Sequence, residues 1–308
     1  EPLHLLGHHH LPLQLAEALM ATATIPLRKP QRRPGRLIAE IACCVIAALV
    51  AVPLYWMVLS AFKPAGEIQS AAPWTFAPSF ESFERVLDSQ GFGRYFLNSA
   101  IVALCVVALS MLLSFLSAVA LTRFRFKGRT ILLVMLLVAQ MVPVEALTIP
   151  LFFMVQQVGA SVPAFGLNQL APLVLVNLAF SLPFAIWMLR GFVAAVPAEL
   201  EEAAALDGAS RMRFTWQVLF PLVAPGLVAT SVLAFIHAWN DFLFAQTLIF
   251  SDVDNRTLPQ AMRVFYKPEE LDWGGIMAGA TLMTIPVLIF FIFVQRHLAS
   301  GLSGAVKG

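Results

Sequence analysis

The chain has 308 residues, 59% of them hydrophobic and only 12% charged, against roughly 25% charged in an average soluble domain. With a mean hydropathy of +0.80, this composition argues against a water-soluble globule, whose solvent-facing layer needs polar groups, and makes lipid the solvent for most of the surface. The net charge of +2 is too small to call for a nucleic-acid partner, and the basic residues cluster between apolar runs instead of lining one face.

Residues 1–36 read as an N-terminal cytoplasmic extension, in part disordered or added, and 37–308 as the membrane domain. Position 1 is not Met; Met20 is a candidate natural start, and the upstream part with His8, His9 and His10 reads as an added or misassigned extension. The His triplet has no partner ligands, so no metal site is expected. Arg28, Lys29, Arg32, Arg33 and Arg36 then precede a full-length apolar run with no small-residue cleavage site, unlike a signal peptide.

A helix needs about 20 apolar residues to cross the hydrocarbon core. Six segments qualify: about 37–60, 97–121, 130–155, 169–190, 222–248 and 276–295. The fold class expected is therefore an all-α membrane protein with six transmembrane helices. Pro53, Pro143, Pro150, Pro183 and Pro286 fall inside these runs. In a membrane bundle neighbours re-satisfy the freed backbone groups, so kinks are expected there, not breaks. Cys43, Cys44 and Cys105 also lie within the runs, without metal-ligand spacing, as small packing residues. Gly275 and Gly279 fit a small-xxx-small pattern for close helix packing.

Counted by alternate loops, 14 Lys and Arg fall on one side and 6 on the other. The positive-inside rule therefore places both termini in the cytoplasm. Two sizeable loops face the other side. About 61–96 carries Trp74, Phe76, Phe80 and Phe83; about 250–275 mixes charges with Phe265, Tyr266 and Trp273. Each reads either as a solvated connection or as a partner-docking surface.

The cytoplasmic stretch 196–221 reads as helix, turn, helix. Pro197 suits a first helical position, and Glu199, Glu201 and Glu202 favour the positive end of the helix dipole. Leu200, Ala203, Ala204 and Asp207 share one face. Gly208 can take the left-handed conformation that stops a helix, Ser210 can cap the next, and Pro221 is expected to end it. The alanine face is too small to fill a core. It suits the groove of another protein, with flanking carboxylates able to meet a partner's Arg.

Glu202-Ala203-Ala204, Gly208 ten residues before Val218, and Val218-Leu219-Phe220-Pro221 resemble the EAA loop of bacterial ABC import permeases. The usual ending of that loop is Ile-x-Leu-Pro, so Val218 and Phe220 depart mildly. Over roughly 37–308 the chain is similar to the maltose-type sugar permeases. The likeness is carried by Met141-Val142-Pro143, Ile149-Pro150-Leu151, Leu182-Pro183-Phe184, Trp187 to Phe192, Trp239 to Ala245, Arg256-Thr257-Leu258-Pro259 and the tail Gly301–Gly308. The resemblance implies the type I ABC importer permease fold, with 196–221 as a coupling helix seated in an ATPase subunit. Glu199, Glu201, Glu202, Ala203, Ala204, Asp207, Gly208 and Pro221 would form that joint. It also implies a multi-pass protein of a bacterial or archaeal cytoplasmic membrane. Its partners would be a second homologous permease, two ABC ATPases and an extracytoplasmic solute-binding protein. ATP and Mg would be bound by the ATPases and no cofactor by this chain. The implied binding-protein contacts are Arg256, Pro259, Arg263, Phe265 and Tyr266, and the tail Gly301–Gly308 would touch the ATPase.

Polar residues inside apolar runs face either a helix neighbour or a water-filled path. Gln140, Asn177, Ser181, Trp239, Asn240 and Asp241 are the candidates for a solute pathway, with helix–helix hydrogen bonding as the other reading; Glu145 and His237 are further intramembrane polar groups. An amide and a carboxylate beside an indole suit a sugar. Within the family the partner permease can supply most solute contacts. Glycerol-phosphate or another polar solute is the alternative cargo. The competing class is a membrane-embedded enzyme using His237 and Asp241 as an acid–base pair on one helical face. No nucleophile motif and no Gly-x-x-x-x-Gly-Lys loop accompanies that pair, so no catalytic residue is assigned.

Overall fold

The computed structural model describes residues 34–64, 67–68, 78–89, 91–266 and 271–305, with the side chains of 34–37 and 296–305 left undescribed. The expectations for His8–His10 and the basic cluster, those for Trp74 and Phe76, and the side chains of the tail lie outside these residues.

The helices in chain order are α1 Pro34–Ala61, α2 Glu81–Leu87, α3 Phe92–Arg123, α4 Arg129–Ala139, α5 Val144–Ser161, α6 Leu170–Ala195, α7 Glu199–Leu206, α8 Arg211–Phe214, α9 Phe220–Leu222, α10 Ala224–Trp239, α11 Leu243–Leu248, α12 Leu258–Ala261 and α13 Trp273–Ala305. Among the described residues the only β pairing is a single bridge between Tyr266 and Leu271. Five helices are long and apolar enough to cross a membrane, and six spans result if the bent pair Arg211–Leu222 and Ala224–Trp239 counts as one. The chain divides into a unit ending at Tyr55 and a second from Trp56 onward. The first contains most of α1, whose Ile38, Ile41 and Leu49 are exposed; the second contains α2 to α13.

The core of the second unit is α3 and α6, which pack side by side, with α10 laid against both and against α13. Asn98 of α3 and Asn168 just before α6 lie at one end, whereas Arg123 of α3 and Val196 after α6 meet at the other. The two helices therefore run in the same direction. Val102, Ala103 and Val106 of α3 are buried with Leu173 and Val176 of α6 and Phe235 and Trp239 of α10. Outward faces keep large apolar side chains such as Leu104, Leu112, Phe153 and Ile289 exposed, as a lipid-facing surface requires.

Two expected spans are not single helices. The run 130–155 breaks at 140–143, where Pro143 holds an extended backbone (ψ 123) ahead of α5. Hydropathy is blind to such a break because both halves are equally apolar. Gln140 bonds across it: its Nε2 donates to the carbonyl of Phe180 in α6 at 3.1 Å, next to the turn that Pro183 deprives of an N–H. The run 222–248 is likewise divided. α10 ends at Trp239, and α11 begins at Leu243.

Gly275 and Gly279 permit close packing, but not against another helix. A Cβ on Gly275 would run into the ring of Phe265, and one on Gly279 into the sulfur of Met262. Both neighbours belong to the 3-10 turn Met262–Phe265, which lies on α13.

Candidate functional site

The hairpin 196–222 is built almost wholly from local signals. α7 begins at Glu199 after Ala198, so Pro197 stands just outside the helix and not at its first position. The three glutamates lie in the first turn, at the positive end of the helix dipole, with no side-chain cap bond. Gly208 has φ +79 and closes α7 with paired end bonds, Ala209 N–H to Ala204 at 2.9 Å and Gly208 N–H to Ala205 at 3.0 Å, the Schellman arrangement. Ser210 caps the second helix by accepting from Arg213 N–H at 3.2 Å.

Pro221 does not end that helix. The missing N–H and the ring are absorbed by a π-helical turn over Thr215–Leu219, in which Phe220 N–H bonds Thr215. The chain continues through Leu222 and bends 71° at Val223 into α10. Packing explains the continuation. Phe214, Leu219 and Val223 are buried with Phe115 and Ala118 of α3 and Leu189 and Val193 of α6. The ring of Phe220 lies edge-on to Phe115 at 5.3 Å, and Trp216 completes the aromatic trio. Phe220 thus fills a pocket beside α3.

The two halves of the hairpin differ sharply. The second is rooted in the bundle, whereas α7 contains no buried residue. Ala204 packs on the core and Glu201 is half-buried. Glu199, Leu200, Glu202, Ala203 and Asp207 stay exposed, and Leu206 is 90% exposed. α7 thus presents an apolar and acidic surface with most of its side chains open.

The proposed pathway residues divide too. Asn177 of α6 is fully buried; its Nδ2 donates to Asp241 Oδ2 at 2.9 Å and to the Leu173 carbonyl at 3.0 Å. The other oxygen of Asp241 accepts from Phe244 N–H at 3.1 Å at the start of α11. Asn240 is exposed and turned back on the carbonyl of Ile236. Ser181 is half-buried and bonds Leu178. Trp239 does not join this group. It is 1% exposed, donates to the Met283 carbonyl at 3.1 Å and packs on Phe235 and Phe96. It borders a cleft of about 540 Å³ lined only by apolar side chains of α3, α10 and α13. The indole therefore supports the polar turn from behind. α10 stops at Trp239, so Asp241 stands beyond the helix that carries His237, and its two oxygens are taken by Asn177 and by Phe244 N–H.

At the far end from the hairpin, the loop after α11 is pinned to the bundle. Asn168, with φ 63, directs its side-chain oxygen at the N–H groups of Phe250 and Ser251, both at 3.0 Å. Its carbonyl accepts from Asn255 at 2.8 Å. Asn98 Nδ2 donates to the carbonyls of Asp254 and Arg256, and Ser99 accepts from Leu258 N–H. Of the docking candidates, Arg263 and Tyr266 are exposed, while Arg256 and Pro259 are half-buried. Phe265 is buried against Gly275 and belongs to the core of the turn, not to its surface.

Sequence reasoning passes over Asn98, Asn168 and Arg123. The first two are single amides at span ends, and their partners lie more than 80 residues away. Arg123 enters only as a positive charge of a loop.

A family profile described as the binding-protein-dependent transport system inner membrane component matches residues 110–304. The diacetylchitobiose uptake system permease protein DasC of Streptomyces coelicolor is 40% identical over 89% of this chain and 98% of that protein. The trehalose/maltose transport system permease protein MalG of Thermococcus litoralis is 32% identical over 89% and 97%. A solved bacterial ABC transporter involved in import of the acidic polysaccharide alginate superposes with TM-score 0.69 at 20% identity, covering 87% of this chain and 99% of that one.

Proposed function

The chain belongs to the binding-protein-dependent transport system inner membrane components, and from that premise we propose that it is the permease subunit of an ATP-driven importer for a di- or oligosaccharide. The observation that carries this reading is the hairpin. α7 is closed by Gly208, contains no buried residue and is joined to α10 through the turn at Gly208–Ser210 and the helical stretch Arg211–Leu222, which bends 71° at Val223. A partner ATPase holding α7 through Leu200, Ala203 and Leu206, with Glu199, Glu202 and Asp207 at the rim, would move α10 along with it.

In this reading the hairpin end is cytoplasmic, as are both termini, in agreement with the excess of Lys and Arg there. A second permease completes the pathway, and two ATPases bind ATP and Mg. A solute-binding protein docks on the opposite end around Arg263 and Tyr266, with Arg256 and Pro259 beneath. Asp241, Asn240 and Gln140 present polar groups to the passing solute, with Asn177 and Trp239 fixing the turn and Ser181 alongside. Directed amide and carboxylate hydrogen bonds suit sugar hydroxyls. The relatives named for diacetylchitobiose and trehalose/maltose transport support that cargo.

The test is ATP hydrolysis and solute uptake by the assembled complex carrying Glu202→Ala with Gly208→Trp, using labelled diacetylchitobiose, trehalose and maltose. Loss of ATPase retention or of hydrolysis-linked uptake is expected. Wild-type coupling in the double variant would count against the assignment.

A further inference from the structure

We infer that Arg123 is the positioning residue that locks the coupling hairpin to α3 and α6, so that the three move as one body; this rests on the coupling role of α7 proposed above. Arg123 is the last residue of α3, and its side chain is 12% exposed. One end nitrogen, Nη2, donates to the carbonyl of Val196 at 2.8 Å and of Val193 at 3.3 Å. Both lie at the C-terminal end of α6, where Pro197 offers Val193 no N–H and Val193 otherwise accepts only a 3.4 Å bond from Val196 N–H. A cation there also opposes the negative end of the helix dipole.

The third contact points at the hairpin. Nε stands 3.8 Å from Glu201 Oε2 and, being buried, has no hydrogen-bond partner. Glu201 is the half-buried acid of α7, on the side turned to the bundle with Ala204. The planar guanidinium thus meets the ends of two long helices and the first turn of the lever. A rigid fork holds such a three-way junction at fixed angles, whereas a flexible ammonium does not. Among the described contacts of α7 with the bundle this is the one polar link; the rest is Ala204 against apolar neighbours. A helix resting only on one methyl group could slide. With the arginine in place, a displacement of α7 is delivered to α3 and α6 as well as through α9 into α10.

The experiment uses the full complex with Cys43, Cys44 and Cys105, which are free, replaced by Ser. Spin labels are placed at Leu109 and Ala205, both exposed. Leu109 lies about 21 Å along α3 from Arg123 at 1.5 Å per residue. Label separation is read without nucleotide and after trapping with ATP and vanadate. In the wild type one narrow separation is expected in both states. Arg123→Ala should broaden it and make it shift on trapping, and Arg123→Lys should fall between. A role confined to capping α6 would lower thermal stability and leave the separation alone. A wild-type separation that changes on trapping overturns the inference. So does an Arg123→Ala complex, or an Arg123→Lys complex where the alanine variant fails to assemble, that keeps the wild-type pattern. If the Glu202→Ala, Gly208→Trp complex stays coupled, the coupling role itself fails, whatever Arg123 does. If that complex uncouples while Arg123 variants keep the wild-type separation, only the strut fails.

Discussion

The two ends of the bundle solve the problem of an irregular segment in opposite ways. At one end, the loop 249–257 is stitched to its own chain. Asn168 and Asn98 hold backbone groups of Phe250, Ser251, Asp252, Asp254 and Arg256, Ser99 holds the N–H of Leu258, and Gln260 reaches back to the carbonyl of Ile249. At the other end, α7 is closed by Gly208, with Ser210 capping the helix that follows, but covers almost nothing. The first region is finished within the chain; the second leaves most of its side chains open. A buried backbone polar group without a bond is costly, so a segment that must hold its shape alone collects side-chain donors and acceptors. A segment awaiting a partner needs only caps to keep it helical and leaves its apolar face open.

The largest effect should come from cutting the pin. Asn168→Ala removes acceptors for Phe250 and Ser251 and puts an ordinary side chain at φ 63. With two lost bonds and a left-handed backbone, a destabilisation of roughly 2–4 kcal/mol is expected. It should be visible as a lowered midpoint in thermal or SDS denaturation. Asn168→Asp keeps both acceptors and should recover most of it, while Asn168→Gly should relieve only the backbone part. Equal losses in all three would show that the amide is not the pin.

The hairpin should respond in function more than in stability. At Gly208 a Cβ meets nothing within 4 Å, but φ is +79. Gly208→Val therefore carries only the left-handed backbone cost, about 1–2 kcal/mol, and that cost falls on α7. ATP-linked uptake should drop while the global denaturation midpoint hardly moves. Gly208→Asn, which tolerates this conformation better, should restore uptake. If the valine variant instead lowers the midpoint as much as Asn168→Ala does, the hairpin is not an independent element.

These two regions are also unequally legible in the sequence. The hairpin can be read because its determinants are local. A glycine followed two residues later by a serine, and three acids at the start, state a cap, a stop and a start within a dozen positions. Two signals there mislead: Pro197 stands just outside α7, and Pro221 as a terminator is overruled by distant residues. Phe115, Leu189 and Val193 bury Leu219 and Val223, and this outweighs the strain of carrying a proline through a widened turn. The pinned loop can hardly be read at all, since Asn98 and Asn255 are unremarkable until the fold brings them to backbone atoms far away in sequence. Trp239-Asn240-Asp241 fails in a third way. Adjacency suggests one group, but the end of α10 sends the indole into the core and leaves the amide outside. Six spans are countable from hydropathy, whereas the break at 140–143 is not, because it is a matter of backbone geometry and not of polarity.

The smallest effect expected separates two contributions made by one residue at the pinned end. Asp272 Oδ1 accepts from Gly275 N–H at 2.9 Å at the start of α13, and Oδ2 pairs with Arg85 of α2 at 2.9 Å. Asp272→Ala loses both, the cap being worth about 1 kcal/mol and a partly exposed ion pair less. Asp272→Asn keeps an oxygen for the cap and loses the charge on the pair, so it should cost only a few tenths of a kcal/mol and become nearly neutral in high salt. The two variants also sharpen the contrast between the ends. If Asp272→Asn is as damaging as Asp272→Ala, α2 is held chiefly by charge, and that part of the pinned end is less self-sufficient than its backbone bonds suggest. If only the alanine variant is damaged, local capping governs here as it does at Ser210, and the pinning proper belongs to Asn98 and Asn168.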